Sequence, residues 1–293
     1  MELDYISLRP VKPALAGYIR EAQALIKAAS SPDEKTVHDV RVLMKKARSA
    51  LKLIAPQMAK GFSESEIRAL RAVGREMSSW RETSVLRKHL KSFKKKHPVL
   101  FSKLQKSDKI VSLLKKPEAE GRIADDVSPK LDIILSILDK TSYRIRFEPM
   151  DKLDPNSLIK ELEHTYTLVI DNYLKTRNKP SEDNIHEFRK RSKDFLYQLW
   201  FFKPLNTASI KDLEKKLDIM TQNLGKHNDL SQLITALGYK YEYMANSPEI
   251  DELALLIRES QERYLSKVWP VAHKYFCPGN KLINVPGFKL LII

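Results

Sequence analysis

Residues 37–56 read VHDVRVLMKKARSALKLIAP, and residues 185–204 read IHEFRKRSKDFLYQLWFFKP. Laid over each other without a gap, the two stretches match at a constant offset of 148 positions. The matched pairs are His38 with His186, Arg41 with Arg189, Lys45 with Lys193 and Pro56 with Pro204. Each stretch follows residues that can cap a helix, Ser31-Pro32-Asp33 in one case and Ser181-Glu182-Asp183 in the other, and each ends at a proline. This repeat predicts that the chain contains two copies of one helical unit.

Apolar residues recur at three-and-four spacing along most of the chain, and this period is typical of amphipathic helices. The segments with this spacing are approximately 12–29, 33–55, 63–91, 98–115, 128–145, 156–177, 181–202, 207–237 and 247–276. Prolines separate several of them, and the residue before a proline disfavours helix. We therefore predict an all-α protein.

Composition excludes several classes of protein. A hydrophobic content of 42% in 293 residues is enough to bury a core, and the single cysteine rules out an internal disulfide framework and a cysteine-based zinc site. Only 8 glycines are present, so glycine-rich nucleotide loops are not expected. The N-terminus lacks the pattern of a signal peptide, and no run of about 18 apolar residues occurs. We expect a cytoplasmic protein with no membrane partner.

The charge is strongly basic and unevenly distributed. Lys and Arg number 52 against 37 Asp and Glu, which gives a net charge of +15. Residues 87–116 hold 11 of these basic residues and one acid, Asp108. This basic insertion reads as a solvated helix face or a flexible loop that attracts anions without selecting one.

Helical spacing arranges other cations into stripes. The first stripe has spacings of 3, 4, 3 and 4, so it extends about 21 Å along one helix face; its members are His38, Arg41, Lys45, Arg48 and Lys52. The second repeats the pattern with His186, Arg189 and Lys193, with Lys190 beside it, and a shorter third consists of Arg68, Arg71 and Arg75. Like charges at i and i+4 destabilise a helix unless an anion or acidic neighbours compensate. The stripes therefore predict either a polyanion site or ion pairing across a bundle.

A second, looser motif follows each copy: SSWRETSVLRKHL (78–90) and LGKHNDLSQLITAL (224–237) align at an offset of 147, with Glu82 on Asp229. Paired H-D/E-x-R-x-x-x-K helices, each followed by an R-D or N-D-like element, resemble the CHAD family, the histidine α-helical domains that bind inorganic polyphosphate. The resemblance covers residues 12–276. It implies two helical bundles related by a pseudo-twofold axis, with basic helices that face a shared positive groove.

The resemblance also implies which side chains contact phosphate. The expected polyphosphate-binding residues are His38, Arg41, Lys45, Arg48, Lys52, Arg75, Arg81, His186, Arg189, Lys190 and Lys193. Glu82 departs from the family's usual aspartate, and Leu196 stands where the family often has arginine, which shortens the second stripe. Glu82 and Asp229 are interpreted as acids that orient Arg81 or His227.

The expected division of the chain is a first CHAD half at 1–117 with the basic insertion at about 87–116, a linker and connecting helix at 118–150, a second half at 151–277 and an extended apolar tail at 278–293.

The expected function is non-catalytic binding of inorganic polyphosphate, with no cofactor, no metal and no catalytic residue, and with association to polyphosphate granules. The tail is a candidate surface for a homodimer. Nucleic acid is the second candidate partner because the same cations would contact its phosphates. A phosphohydrolase is the third reading, and it would need a carboxylate cluster that the sequence does not offer.

Overall fold

The computed structural model describes residues 7–28, 33–105, 107–115, 123–203, 207–238 and 247–282. Over these residues the chain forms eleven α-helices, one short 3₁₀ turn and one pair of two-residue strands. In chain order the elements are β1 (Ser7–Leu8), α1 (Val11–Lys27), α2 (Glu34–Ile54), the 3₁₀ turn (Ala55–Gln57), α3 (Phe62–Glu76), α4 (Ser78–Lys96), α5 (Pro98–Leu104), α6 (Asp108–Leu114), α7 (Ile123–Phe147), α8 (Pro155–Asn178), α9 (Glu182–Leu199), β2 (Phe202–Lys203), α10 (Thr207–Ala236) and α11 (Pro248–Phe276). The all-α prediction is confirmed.

Helices α2 and α9, which carry the two matched stretches, begin at the predicted caps. The side chain of Asp33 accepts a hydrogen bond of 2.7 Å from the backbone N–H of Thr36 at the start of α2. The side chain of Ser181 accepts one of 3.3 Å from the backbone N–H of Asn184 at the start of α9. These bonds satisfy N–H groups that have no partner within the helix.

Two of the helical segments predicted from periodicity are each divided in the structure. The segment 63–91 breaks at Met77, which is buried and serves both as the end of α3 and as the cap of α4. The segment 98–115 breaks between α5 and α6. As a result, the first copy of the looser motif opens a new helix, whereas the second copy lies at the end of α10.

A short antiparallel strand pair joins the segment before α1 to the segment that follows α9. Ser7 pairs with Lys203, and Leu8 pairs with Phe202. The backbone N–H of Arg9 continues the contact with a bond of 2.9 Å to the carbonyl oxygen of Phe201. Runs of two residues carry no period-2 pattern, and for this reason the sequence did not reveal them.

Helices α2 and α9 pack directly against each other. The hydroxyl of Ser49 on α2 donates to the backbone oxygen of Asp194 on α9 at 2.8 Å, and the side-chain amide of Gln198 donates back to the backbone oxygen of Ser49 at 3.3 Å. Ser49 and Gln198 are both fully buried. This exchange fixes the two stripe-bearing helices side by side, because buried polar groups are costly without partners.

Apolar side chains form two hydrophobic cores. The larger includes buried residues from both predicted halves, among them Leu15, Leu51 and Phe188. The smaller joins α4, α5 and α6 to the end of α10 and the start of α11. In the basic insertion, the apolar residues Leu90 and Phe101 belong to this smaller core, and the described lysines lie on the exposed side.

Part of the predicted organisation lies outside the described residues. This applies to residues 118–122 of the expected linker and to residues 283–293 of the apolar tail, so the proposed homodimer contact through the tail stays a prediction. The division into halves also stays a prediction. Within the described residues, no helix combines the length and the apolar character needed to cross a membrane.

Candidate anion-binding site

The two predicted stripes meet in one cavity of about 420 Å³ between α2 and α9. For brevity we call it the basic cavity. Its lining residues are Arg41, Lys45, Arg48 and Lys52 of α2, Arg71 of α3, and His186, Arg189, Lys190, Lys193, Asp194 and Tyr197 of α9. Eight of the predicted phosphate-contacting residues are therefore brought together in space.

On the α2 side, the structure shows hydrogen-bond or ion-pair partners for Arg41, Arg48 and Lys52, and each partner belongs to a different helix. A guanidinium nitrogen of Arg41 donates to the backbone oxygen of Gly74 on α3 at 2.6 Å. Arg48 bonds to the carbonyl oxygen of Met44 in its own helix at 3.3 Å. Lys52 forms an ion pair of 2.5 Å with Asp194 of α9. Hydrogen bonding in this way limits the rotamer freedom that a ligand would otherwise have to remove.

On the α9 side, helix α10 positions the cations. The guanidinium of Arg189 lies against Gly225 of α10 so closely that a Cβ atom at Gly225 would be 3.2 Å from two of its nitrogens. Lys193 forms an ion pair of 3.0 Å with Asp218 of α10. Glycine at position 225 therefore provides the space that the Arg189 side chain occupies.

His186 and Lys190 of the lining have polar partners as well. A ring nitrogen of His186 lies 3.1 Å from the side-chain oxygen of Asn228 on α10. Lys190 pairs with Glu187 at 2.9 Å within α9. Lys52 and Lys193 likewise have carboxylate partners, in Asp194 and Asp218. Ion pairing, one of the two readings of the stripes, therefore occurs in this cavity, and anion binding stays a prediction.

The electrostatics of the cavity favour an anionic ligand. Burial and the neighbouring guanidinium groups of Arg71 and Arg41 lower the pKa of Arg48, although Asp194 opposes the shift. Burial also lowers the pKa of Lys193, with Asp218 opposing and Arg189 and Lys46 adding to the shift. A lowered pKa of a base means that its charged form is destabilised, and a bound anion would reverse this. The lining carries eight Lys and Arg side chains against one carboxylate.

Three residues of the lining were not predicted as site residues. Arg71 lines the cavity, whereas Arg75, which was predicted, lies on the exposed surface of α3 outside the lining. Asp194 supplies the partner of Lys52.

Tyr197 contributes a partly buried ring, and burial raises the pKa of its hydroxyl to about 12. A helical-wheel projection of α9 contained the signal for Tyr197, because it follows Lys193 at i+4 on the same face.

His38, also a predicted phosphate contact, does not lie in the basic cavity. It lines a separate cavity of about 800 Å³ between the start of α2 and helices α4, α10 and α11. This second cavity mixes charges, since Asp33, Glu34 and Asp229 face it together with three lysines. Arg81, another predicted contact, and Glu82 have side chains that lie outside the described residues.

The acid Asp229 has a different neighbour from the predicted one. Its carboxylate lies 3.8 Å from the ring of His89 on α4. His227 is instead buried in α10, and burial lowers its pKa to about 4, so that the imidazole is neutral at physiological pH. The expectation that Asp229 orients His227 is therefore replaced by a contact with His89.

Among the described residues, no group of three or more His, Cys, Asp or Glu side chains lies together in a way that could hold a metal ion.

Comparison with known proteins identifies a family. A family model described as the CHAD domain matches residues 13–238, which is more than half of the chain. No curated protein matches the sequence. The solved structure of PptA from Streptomyces chartreusis is similar with a TM-score of 0.59 and 14% identity, over 90% of this chain and 99% of that one. The crystal structure of the CHAD domain from the plant Ricinus communis has a TM-score of 0.53 and 18% identity, over 100% of this chain and 95% of that one.

Proposed function

The chain belongs to the CHAD domain family, and we propose that its basic cavity binds inorganic polyphosphate without chemical turnover. The observation that carries the proposal is the convergence of cations from three helices, α2, α3 and α9, on one cavity. The cations of a single helix could be a solvated face. Cations that three helices direct into a shared space, at a cost in repulsion, are explained by a ligand of opposite charge.

The chemistry of a linear polyphosphate suits these side chains. Each internal phosphate carries about one negative charge, and arginine forks bind its oxygen atoms in pairs while lysines act as point charges. Arg41 and Arg189 supply forks from opposite sides of the cavity, and Lys45 and Lys190 lie one turn or less further along their helices. A chain of phosphates could follow both helices with no requirement for a base or sugar.

Nucleic acid remains the competing ligand, because backbone phosphates would attract the same cations. A competition titration distinguishes the two. Labelled long-chain polyphosphate is displaced at about 150 mM salt by unlabelled polyphosphate, single-stranded RNA or duplex DNA at equal phosphate concentration. We expect polyphosphate to compete at least about tenfold better, which corresponds to 1.4 kcal/mol.

Two double variants locate the binding in the molecule. We expect Arg41→Ala/Arg189→Ala to lose most of the preference for polyphosphate. Lys95→Ala/Lys96→Ala removes the same charge from the exposed side of α4 in the basic insertion, and we expect it to bind almost as the parent does. If the lysine variant loses binding and the arginine variant does not, the basic insertion is the polyanion site and the proposal is wrong.

A further inference from the structure

A third cavity, of about 410 Å³, adjoins the basic cavity and has a different chemical character. It lies between α1, α2, α9 and α10, and aromatic rings from Tyr18, Tyr197 and Trp200 line it. We call it the aromatic cavity. Its volume is within the range of about 300–1,000 Å³ that is typical of small-molecule sites.

The two cavities share a wall. Tyr197 lines both of them. The ammonium of Lys193, in the basic cavity, lies 5.5 Å from the centre of the Tyr197 ring and pairs with Asp218, which lines the aromatic cavity. Lys46 of the aromatic cavity follows Lys45 of the basic cavity in α2, and its charge contributes to the lowered pKa of Lys193. The two cavities are therefore direct neighbours.

The aromatic cavity is suited to a flat ring beside a polar group. Tyr18 and Trp200 have ring centres 6.4 Å apart and inclined at 52°, and Lys46 lies 5.8 Å from the centre of Tyr18. Nucleobases stack on such rings without a need for specific hydrogen bonds. The carboxylates of Asp218 and Glu214 can accept hydrogen bonds from sugar hydroxyls.

Inorganic polyphosphate has no apolar group that could use these rings. Leu196 adds to the apolar lining at the position where the repeat places the counterpart of Arg48. The stripe of α9 thus changes from cationic to apolar as it passes from one cavity to the other. A ligand that matches both parts has an oligophosphate at one end and an aromatic ring at the other.

We propose that the aromatic cavity binds the nucleoside of a nucleoside 5′-oligophosphate whose phosphates lie in the basic cavity. The inference rests on the proposed function for its phosphate end. It adds a class of small ligand, and it assigns to Tyr18 and Trp200 a role in ligand selection.

The test compares ATP with inorganic tripolyphosphate by isothermal titration calorimetry without divalent cations. Both ligands have three phosphates, and tripolyphosphate lacks the nucleoside but carries at least as much charge. Electrostatics alone therefore cannot favour ATP. We expect ATP to bind about tenfold more tightly than tripolyphosphate, in line with stacking of one base.

Two tryptophan variants provide a matched comparison. Trp200→Leu removes a ring of the aromatic cavity, and we expect ATP to bind with the affinity of tripolyphosphate while tripolyphosphate binds as before. Trp269→Leu changes a partly buried tryptophan that packs on the same core near Arg177, and we expect it to retain the preference for ATP. Tyr18→Leu removes the ring that α1 contributes to the aromatic cavity and should lower the affinity for ATP alone.

The outcomes separate this inference from the proposed function. Equal affinities for ATP and tripolyphosphate in the parent protein would overturn the nucleoside site and leave polyphosphate binding untouched. An ATP preference that survives both Trp200→Leu and Tyr18→Leu would also overturn it. If Arg41→Ala/Arg189→Ala leaves the affinities for both ligands unchanged, the proposed function fails and the inference fails with it.

Discussion

Arg48 and Lys52 lie one helical turn apart in the basic cavity, but their surroundings affect folding in opposite directions. Burial and the charges of Arg71 and Arg41 lower the pKa of Arg48, which means that its positive charge destabilises the ligand-free fold. Lys52 is held by Asp194 at 2.5 Å. Arg48 is thus retained at a cost in stability, as is expected of a residue that binds a ligand. Lys52, in contrast, also stabilises the contact between α2 and α9.

Substitutions of Arg48 and Lys52 should therefore differ in their effect on stability while both weaken binding. In phosphate-free buffer, Arg48→Gln should raise the melting temperature by about 2 °C, which corresponds to ~1 kcal/mol, because it relieves buried repulsion. Lys52→Gln should lower the melting temperature, since it leaves Asp194 without its cation. Both variants should weaken the binding of polyphosphate. Differential scanning calorimetry and a binding titration on the same samples measure the two effects, and a lower melting temperature for Arg48→Gln would contradict the argument.

At the scale of the elements, a helix next to each stripe sets the position of an arginine. Arg41 donates to the backbone oxygen of Gly74 on α3, and Arg189 lies against Gly225 on α10. The two glycines differ in the space around them. An added Cβ would be 3.2 Å from two nitrogens of Arg189 at Gly225, whereas at Gly74 it would meet no atom of another element within 4 Å.

This difference predicts that a glycine-to-alanine substitution has different effects on binding at the two positions. Alanine favours a helix over glycine by up to ~1 kcal/mol, so Gly74→Ala should stabilise the protein and leave binding unchanged. Gly225→Ala should displace the guanidinium of Arg189 and weaken the binding of polyphosphate about fivefold, which corresponds to ~1 kcal/mol. Thermal unfolding and competition titration of both variants measure the outcome. Equal affinities for the two variants would show that the position of Arg189 against α10 has no part in binding.

The helices were largely predictable because each has a local signal. The caps Asp33 and Ser181 and the three-and-four spacing located α2 and α9 to within a few residues, and the resemblance to the CHAD family is confirmed. The break at Met77 was not predictable, because the apolar spacing continues across it, whereas α3 ends at Glu76 and α4 begins at Ser78. The local spacing of apolar residues gives no information on where one helix ends and the next begins.

The site was predictable along each helix but not between helices. The stripe from His38 to Lys52 extends about 21 Å, and a compact cavity does not reach its full length. His38 therefore faces α4 and α10 at the other end of α2. Arg71 and Arg75 are one turn apart with similar neighbours in the sequence, and the packing of α3 on α2 decides that Arg71 lines the cavity.

At the scale of the whole molecule, the positive charge opposes folding in the absence of a ligand. The net charge is +15, and eight Lys and Arg side chains line one cavity. Self-repulsion of this kind destabilises a compact state and is weakened by salt. A ligand that binds only the folded protein adds to its stability in proportion to the logarithm of its concentration.

The melting temperature should therefore respond to salt and to polyphosphate by the same electrostatic mechanism. We expect it to rise for the free protein as ionic strength increases from about 0.01 M to about 0.15 M, because the Debye length falls from about 30 Å to about 8 Å. At low salt, polyphosphate at about a hundredfold excess over its Kd should contribute about 2.7 kcal/mol, or about 5 °C. At higher salt this additional stabilisation should shrink, because the same ions screen the ligand from the cavity. Differential scanning fluorimetry over a grid of salt and polyphosphate concentrations measures both trends. A melting temperature that does not change with salt while polyphosphate still raises it would mean that the ligand acts through local contacts rather than by relieving the repulsion of the whole molecule.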